Sequence, residues 1–475
     1  MSEKGCNVLG LNIAVCGASN DPIEIWSRVQ TVLNPKKLAG DGLVRYRYFG
    51  KKNSEDIFGD IPMIREMNCL EVPSCATCPL RHHCQYHRSL PLPPKKPSTA
   101  DLFSGAGGLS LGFEQAGFEG LLAIDLDKSA IDTHRYNRPG SKGEWRCTDL
   151  NTWLEEAPKN IRVDVLMGGP PCQSFSTANR QQQDNDERDS LYQLFINSIP
   201  CFSPKVLLIE NVKGFEKVLP ELCGHIEKLG YLTMVMKLNA RDFGIPQNRV
   251  RLFTIGVLLE HAGGSYDDAV AMLIRIRDRI EKEKRREVHL IDAIGDLPQL
   301  EASRLKNKTD HQSDLNGWSI MASEVLNSSC AMPWVERINQ CPTNPLVIFN
   351  HKARYNNDRD IEIFDRLLPG EDSTAESIRD IMPYKKRNHI FKDKYYKLRA
   401  DAVCKTITAH MRLDCNMYIH PYQARGLTVR EAARVQGFPD TYVFLGTLHS
   451  LYSQIGNAVP PPLARILAHS IIREL

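Results

Sequence analysis

Two short, β-branched apolar runs constrain this chain's fold more than any other feature: Val163-Asp164-Val165-Leu166-Met167 and Val206-Leu207-Leu208-Ile209. Both are flanked by polar, Pro or Gly residues, and a near-continuous apolar run of this length reads as a strand buried on both faces. Helix-like stretches lie among them, Ser190 to Ser198 and Leu219 to Leu229 for example. Strands that alternate with helices bury their faces best in a mainly parallel sheet covered by helices, so the expected class is α/β with a Rossmann-like core. No internal repeat or low-complexity tract interrupts the pattern.

The clearest boundary is Ser89-Leu90-Pro91-Leu92-Pro93-Pro94-Lys95-Lys96-Pro97-Ser98, whose four prolines forbid regular helix and favour an extended spacer. It separates a front domain, residues 1–88, from a large domain over 99–475. The first hundred residues carry 13 Lys and Arg against 9 Asp and Glu, which makes the front segment mildly basic. The whole-chain charge of +3 is too small to argue for nucleic acid by itself. With 42% hydrophobic and 25% charged residues, and no apolar run near the roughly 20 residues that cross a bilayer, a soluble protein without a membrane partner is expected. The start, Met1 to Cys6, lacks the basic and apolar regions of a secretory signal. An intracellular location follows, in cytoplasm or nucleoid, or in the nucleus of a eukaryote, and the 14 cysteines then suggest thiols and metal ligands over disulfides.

Residues 267–287 read as one basic amphipathic helix, most simply with a solvated charged face. From about 300 to 400 the sequence turns polar and irregular, which suggests a loop-rich insert.

Behind the linker, Asp101-Leu102-Phe103-Ser104-Gly105-Ala106-Gly107-Gly108-Leu109-Ser110 has glycines that permit a tight strand-to-helix turn with backbone N–H groups against a ligand. A plain structural turn is the alternative, because Ser110 replaces the last glycine of a dinucleotide fingerprint. Asp125, at the expected end of a second strand, can accept from ribose hydroxyls. Asp149, at another expected strand end, suits an adenine amino group or the cap of a helix that begins near Thr152.

Gly168-Gly169-Pro170-Pro171-Cys172-Gln173-Ser174-Phe175-Ser176 follows a strand directly. A lone cysteine is usually a small buried hydrophobe, but Gly-Gly and Pro-Pro favour a fixed loop that presents the Cys172 thiol at the sheet edge. Glu210, in Glu210-Asn211-Val212, puts a carboxyl group at the same edge, either for chemistry or as a structural acceptor. Gln247, Arg249 and Arg251 alternate and would share one face of a strand, where two guanidinium groups suit a phosphate or a pyrimidine carbonyl.

The order of these blocks, with Arg430 to Asp440 (Arg-Glu-Ala-Ala-Arg-Val-Gln-Gly-Phe-Pro-Asp) and Gln454 to Pro461 (Gln-Ile-Gly-Asn-Ala-Val-Pro-Pro), resembles that of DNA (cytosine-5)-methyltransferases over about residues 99–475. The resemblance implies an S-adenosylmethionine pocket lined by Phe103, Gly105, Gly107, Asp125, Asp149 and Asn457. It assigns the cytosine chemistry to Cys172, Glu210, Arg249 and Arg251, and target recognition to about 300–400. Its partner would be double-stranded DNA with one cytosine flipped out, in a restriction-modification or orphan methylase. The family commonly has Glu and a large aromatic where this chain has Asp125-Leu126, so weaker adenine stacking is expected. A tRNA cytosine-5 methyltransferase, a catalytically silent DNA-binding protein and a nicotinamide-dependent dehydrogenase are the rival readings. The dehydrogenase explains the glycines but not Pro171-Cys172. Oligomeric state is left open.

Cys69, Cys75, Cys78 and Cys84 lie in Cys-Leu-Glu-Val-Pro-Ser-Cys-Ala-Thr-Cys-Pro-Leu-Arg-His-His-Cys, close enough to close around one metal centre. The Cys-Pro-Leu-Arg-His-His-Cys end resembles the iron-sulfur loop of endonuclease III-type enzymes. It implies a 4Fe-4S cluster, with four-cysteine zinc as the alternative and unligated thiols as the plainest reading. Base excision is not implied, since 68 residues cannot hold the glycosylase domain that should precede such a loop.

Overall fold

The computed structural model describes residues 5–8, 11–14, 96–139, 141–156, 161–171, 191–304, 319–320, 332–339, 347–383 and 394–475. Cys172 and the four cysteines of the front segment lie outside these residues. A short antiparallel pair at the front, β1 (Gly5–Val8) and β2 (Leu11–Ala14), is followed by the main unit, which begins at β3 (Ser98–Leu102). The strand therefore takes the last residue of the expected linker.

Seven strands form the central sheet. They are β3, β4 (Glu119–Asp125), β5 (Glu144–Cys147), β6 (Val165–Gly168), β7 (Val206–Val212), β8 (Tyr231–Asn239) and, after the two-residue β9 (Gln247–Asn248), β10 (Val250–Leu258). Their order is β5-β4-β3-β6-β7-β10-β8; the first five are parallel, and β10 runs antiparallel to both β7 and β8. The mainly parallel α/β class expected from the apolar runs is what the chain adopts. Val165, Leu166, Met167, Val206, Leu207 and Leu208 are fully buried. Covering a strand on both faces leaves no room for alternating polar residues, which is why these runs are continuous.

The sequence order reverses between β3 and β6. In an open α/β sheet such a reversal opens a crevice beyond the carboxyl ends of the strands, where ligands bind. Helices α1 (Gly108–Gln115), α2 (Lys128–Tyr136), α3 (Leu150–Glu156), α4 (Leu191–Phe202) and α5 (Leu219–Glu227) connect these strands. The expected basic helix is α6 (Tyr266–Lys282), which buries Ala269, Met272, Leu273, Ile276 and Ile280 in the main core. It stops before 287 because Arg285 donates its backbone N–H to the Asp242 carbonyl, 2.8 Å away, and draws the chain onto the 242–243 turn.

The 300–400 region is not a single insert. Trp334, Val335 and Ile338 of α7 (Pro333–Asn339), together with Ile348, belong to the main core, and Trp334 Nε1 donates to the Arg434 carbonyl at 3.0 Å. The separable part has its own small core of Ile363, Phe364, Leu367, Ile378, Met382, Tyr395 and Ile419 around α8 (Asp358–Arg366). The carboxy-terminal helices α9 (Val429–Gln436), α10 (Leu448–Asn457) and α11 (Pro461–Ile471) pack back on the main core. α9 begins with a reciprocal Thr428–Glu431 capping box. Burial pushes the Glu431 carboxyl up, but Arg425, 2.6 Å away, outweighs it and holds the group at about 2. Among the described residues no helix is long and apolar enough to cross a membrane.

Candidate functional site at the carboxyl edge of the sheet

The turn after β3 is left-handed at three of its five residues, with φ of 59° at Phe103, 52° at Gly105 and 80° at Gly107. At Gly107 a side chain is barred twice over, since a Cβ would also stand 2.8 Å from His134 Nδ1. At Gly105 the backbone alone requires glycine, and the space where a Cβ would point is open to 4 Å. Phe103 holds the same conformation without being glycine, the kind of local strain that collects at ligand sites.

Asp125 ends β4 as expected. Its carboxylate accepts from the Gly105 N–H and the Asp127 N–H, each at 2.8 Å. Burial raises its pKa against the pull of those two bonds. Leu126 beside it is 68% exposed, an apolar surface at the strand's end with nothing packed over it. Asp149 follows β5, and its Oδ1 accepts from the N–H groups of Asn151 (2.9 Å) and Thr152 (3.2 Å), so the capping role is realised. Asn457 is the exposed last residue of α10. An open glycine turn, an acidic strand end and an uncovered apolar side chain in one crevice fit a nucleoside-bearing cofactor.

At the other side of the reversal, Glu210 on β7 pairs across the ladder with Phe253 of β10, which puts Arg251, two residues earlier, on the same face. Arg251 Nε lies 3.0 Å from Glu210 Oε1. The two side chains form a close ion pair, each only slightly exposed to solvent. Burial lowers the pKa of Arg251 while Glu210 opposes the shift. The turn after β6 meets this pair: a Cβ on Gly169 would stand 3.1 Å from Glu210 Oε2. The Gly-Gly-Pro-Pro loop thus starts against the Glu210 carboxylate, three residues before Cys172.

Gln247, Arg249 and Arg251 do not share one strand face. β9 pairs in parallel with β11 (Cys404–Lys405), whereas β10 joins the main sheet, and Arg249 falls in the gap between them. Its guanidinium is buried and donates to the carbonyls of Ile407 (2.8 Å) and Gly456 (3.0 Å). Gln247 accepts from the Ile407 N–H at 2.9 Å and donates to Gln436 Oε1, and Gln436 in turn donates to the Ala458 carbonyl at 2.5 Å. These side chains hold the 406–408 and 456–458 segments, and with them Asn457, at the site. Sequence reading gave Gln436 no part in this, because a glutamine inside a helix carries no chemical signature until its partner is known.

A glycine turn with an acidic strand end on one side of a strand-order reversal, and an acid–guanidinium pair on the other, is the arrangement of an α/β enzyme that uses a nucleoside cofactor. The chain belongs to the C-5 cytosine-specific DNA methylase family, whose model matches residues 98–473, and it is an S-adenosylmethionine-dependent DNA (cytosine-5)-methyltransferase. It is 33% identical over 430 residues to the Type II methyltransferase M.AgeI of Thalassovita gelatinovora, covering 78% of this chain and 98% of the relative. Identity to the Type II methyltransferase M.DdeI of Desulfomicrobium norvegicum is 30% over 397 residues, covering 78% and 87%. Among solved structures, a prophage-encoded E. coli protein described as a DNA modification methyltransferase superposes with a TM-score of 0.58 at 25% identity, covering 80% of this chain and 99% of that one.

Proposed function

We propose that the enzyme methylates carbon 5 of a cytosine flipped out of duplex DNA, in a specific sequence, as the modification half of a restriction-modification pair. The observation that carries this is the meeting, at one sheet edge, of the Gly105–Asp125 turn, the Glu210–Arg251 pair and the loop leading to Cys172. Phe103, Gly105, Gly107, Asp125 and Asn457 line the cofactor pocket, and Asp149 joins them through the carboxylate oxygen not used in its cap. Bound S-adenosylmethionine supplies an electrophilic sulfonium methyl.

Carbon 5 of cytosine is too weak a nucleophile to take that methyl unaided. Cys172 adds as thiolate to carbon 6, and the electron pair displaced from the 5,6 double bond makes carbon 5 an enamine carbon. Glu210 holds ring nitrogen 3 and the exocyclic amine, while Arg251 steadies the carbonyl oxygen as charge develops. Arg249 acts from behind, fixing the backbone beside Asn457. Methyl transfer to carbon 5 releases S-adenosylhomocysteine as the neutral thioether, after which a solvent base takes the carbon 5 proton, the 5,6 double bond re-forms and the Cys172 thiolate leaves. None of these atoms is reachable in a stacked base, so rotation out of the duplex, at a few kcal/mol, precedes the chemistry.

Bisulfite sequencing of host DNA after expression is expected to show one fully methylated sequence context. Unmodified DNA alongside methylated tRNA cytosine would favour the RNA reading instead. Asp125→Ala should weaken cofactor binding by about 1.5–3 kcal/mol, the worth of a charged hydrogen bond, with DNA affinity unchanged. Calorimetric titration separates the two, and an unaltered cofactor affinity moves the ribose site elsewhere.

Sequence recognition rests within about residues 300–400. Exchange of that span with a relative's, keeping Trp334, Val335, Ile338 and Ile348 for the main core, is expected to change the methylated sequence. Retention of the original target places recognition outside the span.

Cys69, Cys75, Cys78 and Cys84 bind a 4Fe-4S cluster that fixes a small basic loop against DNA phosphate, with Arg81, His82, His83 and Arg88 beside the ligands. Anaerobically purified protein should be brown, hold about four irons per chain and bleach with dithionite. Colourless protein with stoichiometric zinc, prepared with iron supplied, assigns the site to zinc instead.

A further inference from the structure

We propose that Arg138 and Tyr442 form a brace behind the Phe103–Gly107 turn, so that cofactor affinity depends on a segment more than 300 residues further along the chain. This rests on the reading of that turn as the cofactor site. The turn's Gly105 N–H faces Asp125, but its next two carbonyls point the other way and are held from the rear. Tyr442 Oη donates to the Ala106 carbonyl, and Arg138 Nη2 donates to the Gly107 carbonyl at 3.3 Å.

The two braces are locked to each other. Arg138 Nη1 donates to Tyr442 Oη (3.1 Å) and to the His134 carbonyl (2.9 Å), and Nε donates to Glu114 Oε1 (2.5 Å). One planar guanidinium therefore ties the turn to both helices that flank it, α1 through Glu114 and α2 through His134. A point-charge ammonium on a flexible stem cannot hold these directions at once. Both side chains are excluded from water, Arg138 at 9% and Tyr442 at 3% exposure, whereas Leu126 beside Asp125 is 68% exposed. Their work is positional.

Tyr442 is itself fixed from the carboxy-terminal half. Its carbonyl accepts from Arg430 Nη2 at 2.6 Å, and the next residues dock on α2: Val443 N–H donates to Asn137 Oδ1 (2.9 Å) and Leu445 N–H to Thr133 Oγ1 (2.8 Å). His134 fills the space directly beneath Gly107. With both carbonyls tethered, the floor occupied, and the N–H groups of Ser104, Gly105 and Gly107 bonded to the Ile124 carbonyl, the Asp125 carboxylate and the Ser104 carbonyl, the left-handed path of the turn is held in one register. Loss of the Tyr442 hydroxyl frees the Ala106 peptide without touching the ring contacts to Phe438 and Phe444, at 5.0 and 5.4 Å.

The test is Tyr442→Phe, Arg138→Lys and the double variant, assayed in the full-length enzyme. Tyr442→Phe is expected to raise both KM for S-adenosylmethionine and the calorimetric Kd for S-adenosylhomocysteine about tenfold, with kcat at saturating cofactor and KM for DNA within about twofold. Arg138→Lys should cost more, and the double variant less than the product of the two, because the pair acts as one unit. A general packing defect would lower kcat and KM for DNA together and would not spare saturated turnover. Unchanged cofactor KM and Kd in a folded Tyr442→Phe enzyme overturns the brace. Asp125→Ala is the control that separates the readings. If it weakens cofactor binding and Tyr442→Phe does not, the brace alone fails; if neither does, the turn is not the cofactor site.

Discussion

Replacing Cys172 by Ser is expected to abolish methyl transfer, by on the order of 10⁴-fold or more, while cofactor and DNA affinity stay within about threefold. The change removes a reactant and leaves the loop's shape. A thiol with an ordinary pKa of about 8.5 is partly thiolate at neutral pH and intrinsically a strong nucleophile, whereas a serine hydroxyl is almost wholly un-ionised and needs a general base to attack. Gly169, three residues before Cys172 in the chain, lies against the Glu210 carboxylate. Denaturation-stable trapping on 5-fluorocytosine DNA, in which the covalent adduct cannot lose its carbon 5 substituent as a proton, should vanish with the thiol. A serine variant that turns over within about tenfold of wild type would falsify the covalent route.

What could be read in advance follows from the sheet. Short apolar runs print the length of a buried strand into the sequence, so the carboxyl ends of β4 and β7, and with them Asp125 and Glu210, are legible there. Asn457 was legible only by resemblance, since it ends an otherwise ordinary helix. Arg249 shows where a face argument stops working: alternation from Gln247 to Arg251 assumes one continuous strand, but β9 and β10 belong to different sheets. The supporting contacts were invisible for a simpler reason. Gln247 meets Gln436 across 189 residues, and Tyr442 meets Ala106 across 336. No local pattern encodes such a pairing, because either residue alone fits a helix or a turn without it. Within about 300–400, Trp334 and Ile348 lie between polar stretches yet pack in the main core, a contact that the local sequence does not encode.

Glu210→Gln is the second large expected effect, a loss of about 10²–10⁴ in kcat, or roughly 3–5 kcal/mol of transition-state stabilisation. The substitution keeps the side chain's size and its place on β7, so it tests the charge and proton of the carboxyl group and not its packing. Two consequences combine. The amide cannot share a proton with ring nitrogen 3 while accepting from the exocyclic amine in the same way, so the developing negative charge on the attacked ring loses its stabilising partner. Arg251, mostly buried and 3.0 Å from the carboxylate, also loses its counter-charge. An unpaired buried cation is costly, so the arginine is expected to turn away from the position that the pyrimidine carbonyl needs. The two losses are coupled, and adding Arg251→Ala to Glu210→Gln should therefore cost less than the product of the single effects. Single-turnover rates on duplex DNA, with both substrates saturating, give the numbers free of product release. Glu210→Asp, which keeps the charge but withdraws it by one methylene, should recover part of the rate. If Glu210→Gln keeps its rate within about threefold of wild type, Glu210 is only a structural acceptor for Arg251, and the group that holds the base must be sought elsewhere along the same edge.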